Sequence, residues 1–199
     1  MRPRIMRDVS RLPHYSFGPL NSPWWGQMGL IAIEGMAFAL AIAVYLYLWF
    51  VGTTWPIGPT PDHWVGTVIT LIFLISLWPN AGTDQLAQDE ELPRLRRWMV
   101  AMCVIGVVAI GVRCFEFGQL NVLWNENAYG SVIWLILGLH TVHLVTDVID
   151  TIVLTVLMFT KHAHGKRFAD VSDNAFYWYF VVGTWLPLYG LLYWFPRWM

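Results

Sequence analysis

The sequence predicts an all-α integral membrane protein built as a bundle of about five transmembrane helices. Composition, the spacing of apolar runs and the distribution of basic residues all lead there. Of 199 residues, 57% are hydrophobic and 13% charged, whereas soluble domains are about 45–50% apolar and about 25% charged. The charges sit in short segments separated by long uncharged stretches, which is a membrane composition.

Residues 1–27 carry Arg2, Arg4, Arg7 and Arg11 without an apolar core. They read as a cytoplasmic N-terminal segment rather than a cleavable signal, kept irregular by Pro13, Pro19 and Pro23. Residues 28–199 form a single transmembrane helical domain. Its apolar runs lie near 28–50, 62–81, 96–117, 129–159 and 174–195, and a spanning helix needs about 20 residues. The second has the shortest apolar centre, Trp64 to Trp78, and Pro56, Pro59 and Pro61 hold the loop before it irregular. The fourth is long enough to tilt or to extend past the lipid. Ten of the thirteen tryptophans fall at or just outside the span ends, where an indole prefers the headgroup region. Cys103 and Cys114 share the third span, about 16 Å apart at about 1.5 Å per residue. They cannot bridge, and they read as buried, unreactive thiols.

Basic residues set the orientation. The N-terminal segment holds four arginines, the second loop Arg94, Arg96 and Arg97, and the fourth loop Lys161, Lys166 and Arg167. Ten of twelve Lys and Arg therefore fall on one side, which the positive-inside rule assigns to the cytoplasm. The N-terminus is expected inside and the C-terminus outside, in the periplasm of a bacterial cell.

Ionisable residues at bilayer depth are costly, so each marks a buried partner or a function. Glu34 lies a turn or two into the first span with no cation within a helical turn. It reads either as a proton-exchanging or lipid-sensing carboxyl, or as a protonated acid bonded to a neighbouring helix. His140, His143, Asp147 and Asp150 fall on the fourth span within an arc of about 80° at about 100° per residue. This stripe must face other helices. It can serve structural hydrogen bonding, proton or ion handling, or a metal site, the last only if facing helices add ligands. Arg113 and Glu116, three residues apart, can pair along the third span as a structural anchor.

These counts exclude several functions. Two haems and copper need histidines on several helices, and here two mid-membrane histidines share one helix. The chain is therefore not the haem-bearing subunit of anything. No GxGxxG, phosphate loop or Cys/His cluster is present, leaving nucleotide and iron–sulfur chemistry without support. No nucleic-acid partner is indicated. No residue is assigned as catalytic, cofactor-binding or metal-binding.

Four stretches, in order, resemble cytochrome c oxidase subunit III. Ile33-Glu34-Gly35-Met36-Ala37-Phe38 is similar to that family's Ser-Glu-x-Met-Phe-Phe. Arg113-Cys114-Phe115-Glu116-Phe117 resembles a glutamate–aromatic helix end. Ala128-Tyr129-Gly130-Ser131 followed by Gly138-Leu139-His140-Thr141-Val142-His143-Leu144 resembles Tyr-Gly-Ser and Gly-Phe-His-x-x-His-Val at the same separation. Tyr177-Trp178-Tyr179-Phe180-Val181, with Trp185 and Tyr193, resembles the final helix. The chain looks like the family's short, five-helix form. It departs at Tyr179 and Val182, where the family has histidine and aspartate, at Ser172, where a glutamate is expected, and at Asp147, usually glycine.

The resemblance implies a non-catalytic subunit of a haem-copper terminal oxidase, which passes electrons from cytochrome c to oxygen in aerobic respiration. Such a subunit has no redox centre of its own. Haem and copper are expected in partner subunits, the catalytic subunit I and subunit II, and phospholipid is expected as a ligand. Stabilisation of the catalytic subunit and support of proton uptake would fall to Glu34, His140 and His143, with Asp147 and Asp150 extending the polar network. The expected location is the bacterial inner membrane. Two alternatives stay open: an accessory protein of a nitric oxide reductase, and a stand-alone proton or metal transporter.

Overall fold

The computed structural model describes residues 15–161 and 163–198. Arg2, Arg4, Arg7, Arg11 and Pro13 lie outside them. Among the described residues the chain is all-helical, with five helices long and apolar enough to cross a membrane. They are α1 (Ser22–Val51), α2 (His63–Gln88), α3 (Leu92–Gly118), α4 (Ala128–Met158) and α5 (Lys166–Tyr189). Helix α5 continues through a π-helical segment, Gly190–Trp194, and a last turn, Phe195–Trp198.

Five helices coincide with the expected spans, but four outrun them, α3 by starting at Leu92 rather than near 96. Helix α1 begins at Ser22, because Pro23 sits in its first turn and does not break the entry segment; proline has no amide hydrogen to lose there. Glu34 lies about 18 Å along this helix, at about 1.5 Å per residue. Helix α2 runs through Pro79 to Gln88. Its polar second half is satisfied by α5: Asn80 donates to the carbonyl of Ala175 at 2.8 Å, and Asp84 accepts from Ser172 at 2.5 Å. Helix α5 starts at Lys166 rather than near 174. Its interior Pro187 lies just ahead of the π-helical segment, a pairing common where a backbone hydrogen bond is lost.

Helix α4 is the centre. It packs against α1, α3 and α5, while α2 closes the bundle against α3 and α5. The core is aliphatic and aromatic, with Ile69, Phe73, Ile133, Ile136, Leu137, Trp178 and Trp185 fully or almost fully buried. At Gly106 helix α3 approaches α4 so closely that an added Cβ would lie 2.6 Å from a Val148 methyl; small residues permit such contacts between membrane helices. Helix α1 is the least enclosed and turns Ile33, Met36, Leu40, Tyr47 and Phe50 outward. Neither cysteine is buried as expected: Cys103 is half-buried, 3.2 Å from the Thr155 hydroxyl, and Cys114 is exposed.

The N-terminal segment and two loops meet at one end of the bundle. Tyr15 donates to Glu90, in the α2–α3 loop, at 2.6 Å, and its ring faces Gly165, just before α5. Arg94, Arg96, Arg97, Lys161, Lys166 and Arg167 cluster around these loops, so this is the basic end.

Candidate functional site

The polar stripe of α4 divides between two networks. His140 belongs to one of them. Arg113 Nη2 donates to its Nδ1 at 3.1 Å, and its Nε2 lies 3.0 Å from the carbonyl of Val181. A guanidinium only donates and a carbonyl only accepts, so the ring is neutral, with its proton on Nε2. Arg113 also donates to Glu116 at 2.6 Å, and Tyr193 donates to the other Glu116 oxygen. The guanidinium stacks on Trp185, 4.0 Å above the ring. Arg113, Glu116 and His140 are completely buried. This is a structural lock joining α3, α4 and the end of the fifth span.

His143, one turn further, belongs to the other network. Its Nδ1 donates to the carbonyl of Leu139 at 2.6 Å, which leaves Nε2 facing Glu34 Oε1 across 3.6 Å. Tyr177 donates to Glu34 Oε2 at 2.6 Å. With Nδ1 committed, Nε2 carries a proton only as imidazolium. Glu34 thus faces the free nitrogen of His143 with one oxygen and the Tyr177 hydroxyl with the other. The side chain of Phe38 stands beside both histidines, with ring centroids 4.9 Å from His143 and 6.1 Å from His140.

Glu34 lines a cleft of about 630 Å³ between α1, α4 and α5, which extends toward the basic end. Asp147 and Asp150 line it too, together with Asp170, Asp173, Asn174, Tyr177 and Arg167. The structure thus brings Glu34, His143, Asp147 and Asp150 to one region and sends His140 to Arg113 and Glu116. Asp147 is buried and Asp150 exposed. Among the described residues no three His, Cys, Asp or Glu side chains converge as metal ligands, and both nitrogens of His140 are engaged.

Sequence reasoning about the site passed over Tyr177, Asn174 and Tyr193. Tyr177 and Tyr193 stood only as marks of resemblance, and nothing in helical periodicity shows which acid a tyrosine on another helix will reach. Asn174 is one turn before Tyr177 on the same face, and that i, i+3 spacing was the available signal.

Comparison with known proteins agrees with this architecture. A family model described as "Cytochrome c oxidase subunit III" matches residues 81–197. The chain is 28% identical over 183 residues to the "Probable cytochrome c oxidase subunit 3" of Mycobacterium tuberculosis, covering 87% of this chain and 90% of that protein. It is 24% identical over 148 residues to the "Cytochrome c oxidase subunit 3" of Rhizopus stolonifer, covering 72% of this chain and 52% of that one. With the Triticum aestivum protein of the same name the identity is 27% over 151 residues, 72% and 56% of the two lengths. The match through α3, α4 and α5 takes in Arg113, Glu116, both histidines and Tyr177, and the chain belongs to the cytochrome c oxidase subunit III family.

Proposed function

We propose that this chain is the non-catalytic subunit III of a haem-copper terminal oxidase in aerobic respiration. It packs against the catalytic subunit I and subunit II, stabilises them, and supports proton uptake. Haem and copper belong to those partners. The observation that carries the proton-uptake reading is the meeting of Glu34, His143 and Tyr177 from three helices at one carboxyl. A merely structural carboxyl needs no partner that can also take its proton.

The N-terminus faces the cytoplasm and the C-terminus the periplasm of a bacterial inner membrane. The approach of Tyr15, ahead of α1, to both basic loops at one end supports this orientation. The acid-lined cleft then opens toward the cytoplasm, the side from which an oxidase draws protons. Phospholipid covers the apolar outer face of α1.

The test is to draw the tagged chain gently from its native membranes and record a reduced-minus-oxidised haem spectrum with oxygen and nitric oxide consumption. Co-purifying haem with oxygen uptake is the expected result. Nitric oxide reduction without oxygen uptake would move the chain to a nitric oxide reductase complex. A haem-free chain that transports protons in liposomes would overturn the subunit reading.

A further inference from the structure

The cleft has a second polar centre, apart from Glu34. Its walls bring Glu34 from α1, Asp147 and Asp150 from α4, and Asp170 and Asp173 from α5, against the single guanidinium of Arg167. That guanidinium is already paired with Asp170 at 2.9 Å. His143 is turned to Glu34, and Asp84 on α2 is occupied by Ser172. Among the described residues no cation at the site answers Asp147 and Asp150.

Asn174 lies between them. Its amide lies 2.8 Å from the Thr151 hydroxyl; assigned with its oxygen toward Thr151, the amide turns its nitrogen to Asp147 Oδ1 at 3.3 Å and Asp150 Oδ2 at 3.0 Å. The opposite orientation would turn three oxygens toward one another. One amide thus holds two carboxyls together, and both cannot ionise there without repulsion. Asp147 Oδ2 is buried and has no hydrogen-bond partner among the described residues, and the residue as a whole is 3% exposed. An unpaired charge at that depth is expensive. Asp150, by contrast, is open to the cleft.

We infer that Asp147 and Asp150, bridged by the Asn174 amide, form a second proton-binding site, loaded with one proton through the cleft and separate from Glu34–His143. A hydronium in the cleft gives up one O–H bond and becomes water as its proton adds to a carboxylate oxygen of the pair, and that new O–H bond breaks on release. Asp150 is the exposed partner through which the proton enters. The use of this site in proton uptake rests on the oxidase-subunit reading; the site itself does not.

Infrared spectroscopy of the purified complex decides the matter. Glu34→Gln removes the first carboxyl, and a protonated-carboxyl band should remain that shifts on transfer to heavy water and disappears at alkaline pH. Adding Asp147→Asn should abolish it. Asp150→Asn, at an exposed position where folding is not at stake, should change the pH at which the band disappears. The inference is overturned if Glu34→Gln leaves no band, if the band survives Asp147→Asn, or if it ignores both heavy water and pH. A band indifferent to Asp150→Asn would break the pairing. If Asp147→Asn does not fold, Glu34→Gln and Asp150→Asn still carry the test. Should no haem co-purify, the subunit reading fails, and the same spectra on the isolated chain still decide the site.

Discussion

Tyr177, on α5, donates a 2.6 Å hydrogen bond to Oε2 of Glu34, on α1, and so ties the least enclosed helix of the bundle to the fifth span. Beside it, Gln27 on α1 donates to the carbonyl of Asp173 on α5 at 2.6 Å. These two bonds supply polar contact where α1 otherwise offers apolar surface.

Tyr177→Phe should therefore lower the thermal stability of the purified complex, because a typical side-chain hydrogen bond contributes about 0.5–1.5 kcal/mol. It should also alter the infrared band of the Glu34 carboxyl. Tyr47→Phe, at an exposed position on the same helix as Glu34, is the control and should change neither. Equal melting of the two variants would remove Tyr177 from the account of the α1–α5 contact.

The histidines predict opposite phenotypes. His140→Leu leaves a buried Arg113 donor and the Val181 carbonyl without their ring partner, a loss of about 1–3 kcal/mol for each orphaned group. It should accelerate heat inactivation while the initial oxygen consumption stays close to wild type. His143→Gln removes the proton acceptor facing Glu34 and should slow proton uptake with little change in melting. The reverse pattern would sink the division of the stripe.

Arg113 and Glu116 form a fully buried pair. Removing one partner of such a pair costs about 3–5 kcal/mol, whereas apolar replacement of both is often far milder. Arg113→Met should melt well below wild type, and Arg113→Met with Glu116→Met should recover part of the loss, short of all because Tyr193 loses its acceptor. Thermal denaturation of all three proteins in one detergent checks this. A double variant worse than the sum of the singles would contradict it.

Gly106 is required by the approach of α3 to α4. A Cβ there meets Val148 Cγ2 at 2.6 Å, and overpacking of a tight core costs about 1–3 kcal/mol. Gly106→Ala should lower the melting temperature, and Val148→Ala in the same chain should restore much of it by vacating the contact. Absence of rescue would show that the helices meet differently.

Tyr129→Phe offers a contrast. The Tyr129 hydroxyl is buried with no hydrogen-bond partner, so its removal should leave stability unchanged or slightly raised, since an unsatisfied polar group costs energy in the fold. A marked drop in melting temperature would reveal a partner for the hydroxyl.

Much of the architecture was legible in the sequence. The five spans followed from apolar length, and the stripe on α4 from the angular step of an α-helix; both are properties of one helix and its surroundings. Helix ends were less legible. The polar residues from Asn80 to Gln88 argue against a span until Ala175 and Ser172 are seen to answer them, and those partners lie on α5, far along the chain.

The sequence by itself determined that Glu34, His140, His143, Asp147 and Asp150 could not face lipid, because an ionisable side chain at bilayer depth must find a partner in the protein. Only the tertiary structure decided which partner. His140 and His143 differ by about 60° in azimuth and about 4.5 Å in rise, enough for one ring to meet Arg113 of α3 and Val181 of α5 and the other to meet Glu34 of α1. Periodicity gives a residue's direction from its own axis and carries no information about which helix stands there. That choice is made by packing, where Gly106 lets α3 close on α4 and the bulk of Phe38 fills the space beside the two histidines.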